Sequence, residues 1–288
     1  MRRATNDHWL LRYLLIGFML GFILVFLVFP VYVILAEALH RGIAFYFDSL
    51  TAKHSVSAIK MTLMTAAVVV PLNTIFGVCA AWSVTHFKFP GKSLLISLIE
   101  IPLWVSPVVG GLVFALVFGR QGWFGTWLDT HHIQILFAFP GIVLATAFVT
   151  FPFVARGLIP LMQAQGSAEE EAALTLGANG WQLFWRVTFP KIKWGVLYGM
   201  ILCNARAMGE FGAVSVVAGS VDDKMTMPLQ IENYYQALGP GGLPRAFALA
   251  SILLLLSAVT LAIKIGLEWR SLAPRFSESP KPVLPDQS

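Results

Sequence analysis

Charged residues are scarce in this chain of 288 residues: Asp, Glu, Lys and Arg make up 12%, against 57% hydrophobic residues. A soluble domain carries about twice that share of charge, so the composition excludes an ordinary soluble fold and points to an integral membrane protein. Cysteine is nearly absent too. Cys79 and Cys203 both lie in apolar runs, where a thiol behaves as a small hydrophobe, and no disulfide framework follows. The chain has no GxxxxGK(S/T) phosphate loop, no HExxH and no GxSxG elbow, which removes the recognisable ATPase, metalloprotease and serine-hydrolase sites. It also has no long basic tract of the kind that binds nucleic acid. His131 and His132 are adjacent, so their side chains diverge, and no third ligand stands at metal-site spacing; they read as solvated loop residues. The GPGG run at 239–242 reads as a turn, because no strand precedes it and no phosphate-binding Lys–Ser/Thr follows.

What the sequence does have is length of apolar run. Six stretches, at 13–36, 61–84, 94–118, 135–158, 194–218 and 246–267, reach the roughly 20 residues needed to cross a bilayer. The first exceeds a signal-peptide core and reads as an uncleaved transmembrane helix, although Ala36 and Ala38 loosely resemble a cleavage site. From Ser271 the chain turns polar and Pro-containing, the composition of a disordered tail. With the N-terminus cytoplasmic, thirteen of the 20 Lys and Arg residues fall inside and six outside, with Arg206 within a span. The positive-inside rule favours that orientation.

Between spans four and five, and therefore on the cytoplasmic side, lies the one long amphipathic segment, Gly166 to Pro190. Ser167 followed by Glu170 reads as a capping box, and Gly177 offers the left-handed stop after about nine residues, roughly 14 Å of helix. Asn179 caps a second helix, in which Trp181, Phe184, Trp185 and Thr188 recur at i, i+3, i+4 and i+7 until Pro190 ends it. Pattern alone leaves two readings open, a surface hairpin and a docking element.

Several spans carry more than lipid anchoring requires. Gly17 and Gly21 in the first, and Gly195, Gly199 and Cys203 in the fifth, form small-residue stripes suited to close helix approach. Pro102, Pro107, Gly110 and Gly111 should kink or break the third, with Pro71 and Pro152 acting more mildly in the second and fourth. Arg206 falls about 18 Å along the fifth, near the centre of a ~30 Å hydrocarbon layer. A charge there costs about 2.5–3.5 kcal/mol and needs a partner. Glu210, at i+4, is the simplest one, and Glu100, about 9 Å into the third span, is the other candidate. A structural ion pair and a substrate contact both fit. Asn73 and Asn204 read more readily as interhelical hydrogen-bond formers.

At this point the sequence resembles a known family. Glu171, Ala172 and Ala173, then Gly177, then Val187, Phe189 and Pro190 resemble the EAA–G–I-x-LP signature of binding-protein-dependent ABC importer permeases, with Val and Phe where the signature prefers Ile and Leu. The resemblance implies an all-α fold of six transmembrane helices, the type I importer permease fold seen in maltose and molybdate permeases. It implies that Glu170, Glu171, Ala172, Ala173, Gly177 and Pro190 belong to a coupling helix that enters a groove on a cytoplasmic ATPase. Over nearly the whole chain, VSPVVGGLVFALVFG, FVTFPFVARGLIPLM and NARAMGEFGAVSVVAGS resemble the W-type permease subunit of bacterial sulfate/thiosulfate importers. ARAMGEFGA also resembles molybdate and tungstate permeases, so that alternative stays open.

The resemblance implies a complex with a T-type permease, a dimeric ABC ATPase and an extracytoplasmic sulfate/thiosulfate-binding protein, embedded in lipid and without nucleic acid. No cofactor is expected in this chain; ATP and Mg would sit on the ATPase. The expected layout is residues 1–55 as N-terminus, first helix and outer loop, 56–267 as permease core with coupling loop 159–193, and 268–288 as cytoplasmic tail. The expected location is the bacterial inner membrane with both termini cytoplasmic. Arg206, Glu210, Asn204 and Glu100 are the translocation-path candidates. A self-sufficient secondary transporter or channel would instead show internal repeats or a relay of buried carboxylates, and neither is evident.

Overall fold

In the computed structural model, residues 9–219, 224–237, 239 and 241–272 are described, and every regular element among them is helical. In order these are α1 (Trp9–Ile23), a wide π turn (Leu24–Val28), α2 (Phe29–Leu39), α3 (Ile43–Thr51), α4 (Lys53–His86), α5 (Lys92–Trp104), α6 (Pro107–Phe118) and α7 (Gly125–Thr130). There follow α8 (Phe139–Thr150), α9 (Pro152–Gln165), α10 (Ala168–Thr175), α11 (Gly180–Leu183), a second π turn (Phe184–Thr188) and α12 (Phe189–Met208). The last are α13 (Gly212–Ala218), α14 (Met227–Gln236) and α15 (Gly242–Leu272). Among the described residues four helical stretches are long and apolar enough to span a membrane: Leu11–Leu39, Lys53–His86, Phe139–Gln165 and Gly242–Gly266. Two bent pairs pass the same test together, α5 with α6 and the Gly180–Met208 helix with α13, giving up to six spans at the positions of the six apolar runs. The tail beyond Leu272, and Pro240 of the GPGG run, lie outside the described residues.

The chain divides into two compact units, one of residues 1–56 and 230–252, the other of 57–229 and 253–288. In the first, the Leu11–Leu39 rod buries none of its most apolar window. Gly17 and Gly21 face open space, so their stripe meets no neighbour among the described residues. The Phe29 N–H reaches back to the Leu24 carbonyl, a wide turn just ahead of Pro30. Ser55 bonds Tyr234 at 3.1 Å and Tyr46 bonds Ser251 at 3.0 Å. Arg41 and Arg245 both approach the Phe45 ring.

The second unit is held by glycine-mediated contacts. Val154 of α9, fully buried, is flanked by Gly77 of α4 and Gly199 of α12. A Cβ on Gly77 would lie 2.6 Å from the Val154 Cβ, and one on Gly199 would lie 3.1 Å from its Cα. With Gly195 against Leu161, and Cys203 in the same core as Leu158 and Ile192, this confirms the packing role expected of the fifth-span stripe. Asn73 of α4 donates to the Ala147 carbonyl at 3.1 Å and to Thr150 Oγ1 at 2.8 Å on α8, with Cys203 Sγ 3.8 Å away, the interhelical role expected of it. Pro102, Pro107 and the intervening Val105–Ser106 break turn α6 by 107° from α5. Gly111 then lets α6 close on α13, since a Cβ there would lie 2.7 Å from the Ala213 carbonyl oxygen. Pro71 is accommodated inside the continuous α4, and Pro152 opens α9.

Candidate functional site

The segment after α9 begins differently from its sequence pattern. Ser167 has ψ near 0 rather than the extended backbone of a side-chain cap. Its hydroxyl donates to Glu171 Oε1 at 2.6 Å instead of closing a box with Glu170. Glu170 is turned inward and buried, accepting from Thr188 Oγ1 at 2.6 Å and meeting His86 Nε2. The end of α10 is as expected. Gly177 takes φ +86, its N–H bonds the Leu174 carbonyl and the Ala178 N–H bonds the Ala173 carbonyl, a complete Schellman stop.

Asn179 caps α11 as expected, and Gln182 closes the box from the other side: Gln182 N–H donates to Asn179 Oδ1 at 2.8 Å and Asn179 N–H to Gln182 Oε1 at 3.1 Å. The N-x-x-Q spacing carried that signal. Pro190, in contrast, ends nothing. A π turn over Phe184–Thr188 sends the Phe189 N–H to the Phe184 carbonyl, and the helix runs on through α12 with Pro190 in its first turn. The wider turn moves carbonyls away from the proline ring and asks no N–H of it. The four residues at helical spacing do not share one buried face. Thr188 is buried and Phe184 half-buried, whereas Trp181 and Trp185 are exposed and meet edge to face.

The hairpin thus presents an outer face of Glu171, Ala172, Leu174, Leu176, Gly177 and Trp181, with Leu176 89% exposed. Ala173 is half-covered and Pro190 exposed. Leu174, Leu176 and Trp181 leave apolar surface uncovered on this hairpin among the described residues.

The second candidate region lies at the break in the fifth span. Helix α12 stops at Met208, so Glu210 sits in the break rather than one turn further along the same helix. Glu210 Oε1 accepts the Ala213 N–H at 2.9 Å, fixing the start of α13. Its Oε2 lies 2.7 Å from Arg206 Nη1, a close charge contact without the angles of a directed hydrogen bond. The Glu210 side chain is 1% exposed and that of Arg206 35%. Among the described residues Arg206 has no other ion-pair partner, and Glu100, half-buried in α5, is not paired with it. Asn204 is half-buried and, among the described residues, reaches only Met208 Sδ, at 3.9 Å. Among the described residues no His, Cys, Asp or Glu group could hold a metal. His131 is exposed and lies on Trp127, in keeping with a solvated loop.

Broken apolar spans, an interior charge pair and a polar hairpin with an apolar outer face are the features of a polytopic membrane protein that does more than anchor in lipid. The chain belongs to the family of binding-protein-dependent transport system inner membrane components, whose sequence profile matches residues 73–268. It is 46% identical over 261 residues to the sulfate transport system permease protein CysW of Synechocystis sp., covering 90% of this chain and 94% of that one. Against CysW of Escherichia coli the identity is 49% over 245 residues, 85% and 83% of the two chains. Against the sulfate transport system permease protein CysT of Escherichia coli it is 34%, over 85% and 88%. A chain of the bacterial alginate ABC transporter, crystallised with an alginate-pentasaccharide-bound periplasmic protein, superposes with a TM-score of 0.73 over 94% of this chain and 96% of that one. Their 16% identity makes this a likeness of fold, the type I importer permease fold.

Proposed function

We propose that this chain is a permease subunit of an ATP-driven importer that carries sulfate and thiosulfate across the inner membrane. The observation that carries the reading is the 46–49% identity to W-type sulfate permeases along most of the chain. The similarity to a T-type permease supports a second, related permease as partner. ATP and Mg belong to a partner ATPase dimer, and an extracytoplasmic binding protein delivers the anion. Residues 56–267 form the permease core, with 159–193 facing the cytoplasm beside both termini. ATP binding moves α10 and α11, and the motion turns the spans between inward- and outward-open states.

In this reading Glu171, Ala172, Ala173 and Gly177 meet the ATPase, and Leu176 and Trp181 contribute the apolar contact. Arg206 serves the path. A dianion in a low-dielectric bundle is costly, and a fixed cation lowers that cost. Glu210 occupies one corner of the guanidinium and holds it in place, leaving the rest of the fork toward the third-exposed side. The ARAMGEFGA segment supports molybdate or tungstate as a second substrate reading. Purification of the tagged chain in mild detergent tests the assembly: an ATPase and a second permease should come with it. A lone chain that transports in liposomes would contradict the reading.

A further inference from the structure

Helix α10 has eight residues, too few to be stable unsupported. It buries no apolar side chain: its single buried residue is Glu170. One carboxylate oxygen accepts from Thr188 Oγ1 at 2.6 Å, in the π turn that leads into α12, and the other meets His86 Nε2 at the last residue of α4. The His86 ring is fixed from its far side, with Nδ1 2.8 Å from Thr85 Oγ1 and 3.2 Å from the Trp82 carbonyl. Around this node the remaining polar ties are more exposed, Lys191 with Glu169 at 3.4 Å and Gln165 with the Lys191 carbonyl at 3.3 Å.

A buried carboxylate is an expensive way to hold a helix, and a well-packed apolar residue would hold it at least as firmly. What the carboxylate adds is direction. Apolar surfaces slide over one another, whereas two hydrogen bonds to fixed partners resist both push and pull. We infer that Glu170 is not part of the surface offered to the ATPase but a positioning residue, a strut through which displacement of α10 reaches the end of α4 and the start of α12 together. The inference rests on the coupling reading given above and assigns a separate task to the neighbouring glutamates: Glu171 outward to the partner, Glu170 inward to the spans.

The test uses the complete complex, permeases, ATPase and sulfate-binding protein, in liposomes, and reads sulfate imported per ATP hydrolysed. Glu170→Ala should lower that ratio by more than tenfold, since it removes two hydrogen bonds to a charged group and one alone is worth about a factor of ten, with ATPase still bound and still hydrolysing. Thr188→Val, which keeps the shape and removes the hydroxyl, should lower it less. The exchanged pair His86→Glu with Glu170→His should recover a large part of the loss, which a merely structural role would not produce. A wild-type ratio in assembled Glu170→Ala and Thr188→Val complexes overturns the strut and leaves the coupling reading standing. Loss of the ATPase from every variant also overturns it, since that places Glu170 in assembly. A wild-type complex without ATP-dependent uptake contradicts both.

Discussion

At the scale of single residues, Arg206 and Glu210 are a unit, and their substitutions should not behave alike. Arg206→Gln strands the 1% exposed Glu210 carboxylate; breaking a fully buried pair from one side costs about 3–5 kcal/mol, and the 35% exposure of Arg206 places the loss below that range. Thermal unfolding in detergent should show that loss. Changing both to Gln removes the stranded charge, so stability should largely return while sulfate uptake does not. Arg206→Lys keeps the charge and loses the planar fork; it should assemble normally and transport poorly. Wild-type uptake in Arg206→Lys and in the double variant would remove the guanidinium from the path.

Asn73→Leu should be milder. Polar contacts between membrane helices average about 0.6 kcal/mol, so losing two costs about 1 kcal/mol, seen as a slightly lower melting temperature with uptake intact. The Arg206–Glu210 pair and the Asn73 contact were legible in the sequence, because a charge or amide inside an apolar run must find a partner. The fate of Glu170 was not. The spacing from Ser167 matched a capping box, and only the fold brings His86 and Thr188, far apart in sequence, onto one carboxylate.

At the scale of elements, the hairpin from Ala168 to Thr188 is where local signals and tertiary demands part company. Gly177 and Asn179 behave as written, since a left-handed stop and an N-cap are decided by the residues beside them. Pro190 does not, because a proline in a helix's first turn costs nothing and the π turn before it absorbs the register. Periodicity has no term for such a turn, and the same Phe–Pro arrangement recurs at Phe29–Pro30. Gly177 has open space around a notional Cβ, so its requirement is backbone conformation alone. Gly177→Leu should cost about 1–2 kcal/mol at this turn and disorder the end of α10. Glu171→Lys reverses the charge on the outer face and removes the Ser167 bond. Both variants should insert normally in the membrane, retain less ATPase on purification and lose uptake. Full ATPase retention and uptake in both would remove this hairpin from the coupling path.

At the scale of the whole molecule, the spans were legible because crossing a bilayer is a matter of length and hydropathy, and the bend in the third span was flagged by Pro102, Pro107, Gly110 and Gly111, whereas the break in the fifth at residues 209–211 was not. Which helix faces which was not. The stripe of Gly195, Gly199 and Cys203 announced a close neighbour without naming it, and Gly77, the other side of the notch around Val154, stood in an unremarked stretch of α4. Close packing of α4, α9 and α12 gives the account its unity, because the strut at Glu170 ends on two of these helices. The central claim is that this chain moves sulfate only as one part of an ATP-driven assembly. The direct measurement is radiolabelled sulfate uptake into liposomes holding the chain with its partner permease, ATPase and binding protein. The account predicts accumulation that needs ATP and every component and is competed by thiosulfate; sulfate uptake by the chain alone without ATP, or an assembled complex that carries molybdate and ignores sulfate, would contradict it.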